Sequence, residues 1–279
     1  MRSTAAVWVA TCLMLVAPGA QAQIEPAQEL EQELAENYEL LAPHGLSLGV
    51  ATMSSKGILL GENHRTLLVP VLGYEGERLF FRGISGGLHL FERDGMALDL
   101  LVGARLDGWD AEDLDASLLA ARGIDRAVLR DRERGADMGL GLSWKGWAGH
   151  AWLDAKTDVT SASDGHEVEL GYAFAVPAGK GLLAPSITVS YWSSKLSDYY
   201  YGVLPEEEAA GVPRYRPGDA VVPAFSVAYL RALPGRWRVF GVLEYQWLPG
   251  AITASPLVEG SRGIPSLFIG VSRSFGETP

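Results

Sequence analysis

The chain of 279 residues has a single cysteine, Cys12, close to its start. A chain so poor in cysteine cannot rest on a disulfide framework, so burial or a closed hydrogen-bond network must hold it. Beyond residue 22 no apolar run approaches the roughly 20 residues that a spanning helix needs. Positive charge is also scarce: 23 Lys and Arg stand against 34 Asp and Glu, a formal net charge of -11. That balance argues against nucleic acid as a partner. Two classes survive these absences, a soluble all-β domain and a membrane barrel.

What is present begins with a leader-like stretch. Arg2, an apolar run over residues 5–16 broken only by Thr11, and Ala20-Gln21-Ala22 are the marks of a signal peptide over residues 1–22. About 257 residues remain after its removal, enough for one barrel or one large all-β domain. Residues 23–45 are glutamate-rich, with Leu30, Leu34 and Leu41 partly periodic. Most of these glutamates lack a basic partner at helical spacing, which favours an acidic periplasmic tail over a helix.

From Leu46 on, apolar and polar residues alternate. Leu98, Leu100, Val102, Ala104 and Leu106 fall on one side of a strand, and Asp99, Leu101, Gly103 and Arg105 on the other. Trp237, Val239, Gly241, Leu243, Tyr245 and Trp247 alternate likewise with Arg238, Phe240, Val242, Glu244 and Gln246. Period two over about ten residues suits a tilted transmembrane strand. One side is small or charged, as in a wet lumen. The other is apolar and ends in aromatics such as Trp147, Tyr172, Trp237, Tyr245 and Trp247, as an interfacial girdle does.

Spacing separates a barrel from a sandwich. About twelve strands can be read, near 46–53, 66–74, 77–83, 87–92, 96–106, 135–144, 147–156, 166–176, 182–192, 221–231, 236–247 and 265–275, and ten remain compatible with the pattern. Short turns alternate with long connections at 54–65, 107–134, 157–165, 193–220 and 248–264; only Ile84-Ser85-Gly86 departs. The expected fold is all-β: an up-and-down antiparallel transmembrane barrel over residues 46–275, with a tail at 276–279. Its short turns face the periplasm and its long loops lie outside.

Chemical motifs are thin. Gly83-Ile84-Ser85-Gly86-Gly87 matches a nucleophile elbow, but a strand follows at once where that motif needs a helix. His44, His64, His89, His150 and His166 are scattered. His150 is expected to point inward near Asp154 and Lys156, with Ser143 on the preceding strand; it is read as a hydrated lumen histidine, and a barrel lipid hydrolase with Ser143 or Ser85 as nucleophile is the lesser alternative. No metal-ligand spacing, phosphate loop or dinucleotide fingerprint occurs, so no cofactor and no catalytic activity is expected. Glu206-Glu207-Glu208 reads as a solvated loop face. A helix is expected around 116–122, and one short turn at 205–210.

The stretch YYYGVLPEEEAAGVPRYRPG resembles the signature of the MipA/OmpV family of Gram-negative outer-membrane proteins. Tyr200, Tyr201, Gly202, Val203, Ala209, Gly211 and Tyr215 carry the match. LSLGVAT, VPVLGYEGERLFFRG and SPLVEG extend it over nearly the whole chain. The resemblance implies a non-enzymatic barrel of the cell outer membrane, surrounded by its lipid. It also implies a scaffold role between a lytic transglycosylase and a peptidoglycan synthase, or else a permeability role, and transfers no catalytic residue. Phe275 followed by Gly276-Glu277-Thr278-Pro279 departs from the terminal aromatic usual in such barrels. The tyrosine loop itself is expected to cap or plug the barrel mouth.

Overall fold

The structure is a computed structural model that describes residues 45–62 and 65–275. The leader, the acidic segment before Gly45, His44, His64 and the last four residues lie outside the described residues. The strands are β1 (Gly45–Ser55), β2 (Arg65–Glu75), β3 (Leu79–Arg82), β4 (Ser85–Arg93), β5 (Met96–Arg105), β6 (Gly135–Gly146) and β7 (Gly149–Asp158). They continue as β8 (His166–Ala173), β9 (Val176–Ala178), β10 (Gly181–Trp192), β11 (Ala220–Leu233), β12 (Trp237–Trp247) and β13 (Gly263–Phe275).

Each strand pairs antiparallel with the next in sequence, except that β8 pairs with β10 past the short β9, and β13 returns to β1. The short β9 pairs only with β10, leaving a closed ring of 12 strands. Closure satisfies nearly all backbone polar groups from within the wall, which is the condition for crossing a bilayer. Among the described residues no helix is long and apolar enough to cross a membrane.

Register assigns the faces, because paired residues share a side. Val50 pairs with Pro70 and Val271, and Leu243 with Leu267 and Val227; all point outward. Tyr74, Trp144, Tyr172, Trp237 and Phe275 cluster outward near the short turns, and Tyr245 and Trp247 near the long loops. These are the two girdles. Trp147 differs from expectation: it sits in the turn before β7 and is 89% exposed, because β7 begins only at Gly149.

The lumen has two halves. On β4 to β8 the inward residues include His89, Asp99, Arg105, Asp137, Lys156 and Glu167. On β1, β2, β12 and β13 they include Met53, Leu67, Val69, Val71, Phe240 and Phe268. The first side is strongly charged; on the second an apolar patch of β2, Phe240 and Phe268 stands beside Arg238, Glu244 and Ser272.

The long loops fold into helices α1 (Ala116–Ala121), α2 (Ser194–Tyr201), α3 (Pro205–Ala209) and α4 (Gly250–Thr253). They share one buried cluster, including Leu59, Trp109, Leu119, Tyr200, Val203, Ile252 and Leu257. Most of the buried apolar side chains among the described residues thus form a cap over one end of the barrel.

Candidate functional site

The tyrosine loop lies within this cap. Its first part is α2, a helix where an irregular stretch was expected. Leu196, Ser197, Tyr200 and Tyr201 form its buried side, and this tertiary burial outweighs the modest helix propensity of tyrosine. Tyr201 stacks parallel on Trp192, with centroids 6.1 Å apart. The Trp109 indole donates to the Tyr200 carbonyl at 3.0 Å, and the Tyr200 hydroxyl donates to the Glu133 carbonyl at 3.3 Å. Burial pushes both phenols well above the ordinary tyrosine range, so they stay neutral.

Gly202 ends α2, where a Cβ would lie 2.4 Å from the Asp198 carbonyl oxygen. Val203 is fully buried, and its amide donates to the Tyr215 carbonyl at 2.9 Å. The Tyr215 hydroxyl donates to the Ala251 carbonyl at 2.5 Å. Ala209 is exposed at the end of α3, and Gly211 follows with φ +101°, a conformation that favours glycine. The seven motif positions therefore shape one double turn.

That double turn surrounds an ion pair. Both Glu207 oxygens lie 2.9 Å from the Arg132 guanidinium, and both side chains have zero exposure. Arg132 donates further to the carbonyls of Tyr199, Arg130 and Gly202 at 2.6, 2.6 and 3.2 Å. All five of its N–H groups are thereby used. Glu207 also accepts from the amides of Arg130 and Leu204 at 2.8 and 2.7 Å. The guanidinium lies 4.7 Å over the Trp109 ring. The solvated reading of the acidic triplet is thus corrected at its middle member. Glu208, half-buried, pairs with Arg216 at 2.7 Å.

Below the cap, Arg105 bridges Asp137 and Glu167 at 2.5 and 2.6 Å. The Trp192 indole donates to Glu167 at 3.1 Å, joining this network to the cap. Nearer the short turns, His89 Nδ1 lies 2.7 Å from Asp99 and Nε2 3.3 Å from Glu75, which also holds Arg82 at 3.0 Å. Sequence reading missed this cluster.

The serine candidates do not assemble. Ser85 follows a two-residue turn between β3 and β4, and its hydroxyl donates to the Arg82 carbonyl at 3.2 Å. His150, Ser143 and Asp154 line one cavity of about 870 Å³, as the alternation implied. Among the described residues, no hydrogen bond joins His150 to either; its ring lies 5.2 Å from that of Trp152. No His, Cys, Asp or Glu group suited to a metal occurs among the described residues.

A capped 12-strand barrel carrying this loop has relatives. The family model described as MltA-interacting protein MipA matches residues 48–275. The chain belongs to this family. It is 27% identical over 196 residues to the MltA-interacting protein of Escherichia coli K12, covering 69% of this chain and 75% of that one. It is 26% identical to the putative outer membrane protein YiaT of the same organism, covering 82% and 91%. To OmpV of Vibrio cholerae it is also 26% identical, covering 68% and 71%. Among solved structures it is similar to the translocator domain of autotransporter NalP from Neisseria meningitidis, with TM-score 0.45 and 11% identity over 91% of this chain and 98% of that one. This member of the MipA family is an outer-membrane β-barrel, and its relatives are named as interacting or outer-membrane proteins, not as enzymes.

Proposed function

We propose that this barrel is a non-enzymatic scaffold of the outer membrane whose periplasmic partners are a lytic transglycosylase and, through it, a peptidoglycan synthase. The observation that carries the partner is the family match, together with a relative named for its interaction with MltA. The geometry supports a passive barrel, because the strongest charges in it are satisfied by one another. Arg105 and Arg132 spend their donors on carboxylates and carbonyls within the protein.

The partner-facing side is the end with short turns. Those turns are too small to hold a protein, but β1 starts there at Gly45, paired with Glu75. In this reading the acidic segment 23–45, which joins the chain to β1, is the docking element. The motif residues Tyr200, Tyr201, Gly202, Val203, Ala209, Gly211 and Tyr215 act on the opposite side as the latch of the cap. Deleting residues 24–43 from the full chain is expected to abolish pull-down of a lytic transglycosylase while the barrel still assembles. Undiminished capture would reject the docking role of that segment.

A narrow channel is the second reading, favoured by the cavities of about 870 and 500 Å³ inside the lumen. Steady single-channel currents from the intact protein in planar bilayers would put it first.

A further inference from the structure

The wall has one incomplete seam. β2 runs from Arg65 to Glu75, yet β3 pairs with it only at Gly73, Tyr74 and Glu75. One more bond, from the Gly83 amide to the Leu72 carbonyl at 2.8 Å, closes the foot of the seam. Above it, among the described residues, no strand lies beside residues 65–71 on that side. The β3–β4 hairpin is too short to reach, for it turns back at Gly83-Ile84.

Backbone groups of successive residues point to opposite neighbours. Since the Leu72 carbonyl faces β3, the backbone of Leu68 and Pro70 faces the open side. Pro70 has no N–H to leave unpaired there, which suits a proline to such an edge. Leu68, 76% exposed, marks the lipid side of the same edge.

An open strand edge is not tolerated against hydrocarbon unless it is buried in protein or lines a cavity that water can enter. Here it borders a cavity. A space of about 470 Å³ is lined by outward Leu72 and Ile84, by Leu106 after β5, and by inward Val69, Phe240 and Phe268. Residues from both faces of the wall thus line one continuous, mainly apolar space. Arg82 and Arg238 line it as well, with Ser47, Ser272 and Glu75, whose carboxylate accepts from Arg82 Nε and Nη2 at 3.1 and 3.0 Å. Its size lies within the roughly 300–1,000 Å³ of small-molecule sites.

We infer that the seam between β2 and the β3–β4 hairpin is a lateral port through which one acyl chain of an anionic amphiphile enters the apolar patch of the lumen from the bilayer. The chain lies between Val69, Val71, Phe240 and Phe268, and the anionic head reaches Arg238 and the Arg82 Nη1 that Glu75 leaves over. A free fatty acid and a lysophospholipid share this chemistry.

The full protein is reconstituted in bilayers containing either a diazirine-bearing fatty acid or a diazirine-bearing lysophosphatidylglycerol, irradiated, and mapped by peptide mass spectrometry. Adducts on inward Val69, Phe240 or Phe268 are expected, and the arm that gives them identifies the source. Val71→Trp fills the space from the lumen side and should cut those adducts at least tenfold, with adducts on outward Leu68 and Leu72 retained. Val69→Phe, a smaller change, serves where the tryptophan variant fails to assemble, as read by heat-modifiable migration. Adducts confined to outward residues in both arms, or inward adducts unchanged in an assembled filled variant, overturn the port.

Discussion

At the scale of single residues, Arg132 and Glu207 carry the highest stakes. Neither touches water, and each satisfies the other's geometry completely. A buried pair of this kind contributes little compared with an apolar pair of like volume, yet removing one partner costs about 3–5 kcal/mol. Arg132→Met is therefore expected to loosen the cap, seen as faster proteolysis across residues 204–216 in an otherwise intact barrel. Adding Glu207→Leu should recover part of the loss. A double variant as labile as the single one would show that charge is not the cause. Gly202→Ala tests the same turn by crowding alone. Its new Cβ meets the Asp198 carbonyl, so the α2 terminus must shift and protection of the Val203 amide from exchange should fall. Glu207 was illegible in the sequence because its partner lies 75 residues away in a loop with no periodicity. Neighbouring Glu206 has the same sequence character and is exposed.

At the scale of elements, β4 shows what alternation hides. The register shifts between His89 and Phe91, so Leu90 and Phe91 both face lipid and His89 turns inward opposite Asp99. A strict alternation counted from the Asp94-Gly95 turn places His89 outside, and this is why the His89–Asp99–Glu75 cluster was not read from sequence. Deleting Leu90 should remove the bulge and leave a plain register, with His89 still inward opposite Asp99 and Phe91 still outward opposite Leu98, so the barrel should still assemble. Leu90→Lys keeps the bulge but sets a charge on the lipid face, a change that costs about 2–4 kcal/mol near the bilayer centre. Urea titration of the folded band on unboiled gels compares the two. The short helix α1 is tuned by a different group. Asp115 accepts from the Ser117 hydroxyl and amide and from the Leu118 amide, which hold its carboxyl below the usual aspartate range. The contribution of that cap is present above the unfolded value of 3.8 and is lost as pH falls through the lower folded value. Protection of the Leu119 amide should therefore drop on acidification in the parent but change little in Asp115→Asn, which keeps an acceptor without the titration.

At the scale of the whole molecule, stability divides between a wall and a lid. The wall was legible: its strands fall within a few residues of the alternating segments, because a side-chain period of two is imposed by having lipid on one side only. The lid was legible only in outline. Its helices are held by contacts among Leu59, Trp109, Leu119, Tyr200 and Ile252, residues distributed over four separate connections, and no local pattern encodes such a meeting. The apolar patch of the lumen was hidden for a related reason, since LLVPVLG on β2 is apolar at nearly every position and does not declare which side is inside. This division predicts separable behaviour. Replacing residues 194–218 with a short Gly-Ser linker removes α2, α3 and the latch, but leaves every barrel strand in place. Such a variant should still migrate as a heat-modifiable band, because closure of the ring does not depend on the cap. It should also conduct ions in planar bilayers more readily than the parent, since Tyr201 no longer covers Trp192 above the Arg105–Asp137–Glu167 network. Equal conductance of parent and variant would mean that the cap is not the barrier and that the salt-bridged lumen closes the path by itself.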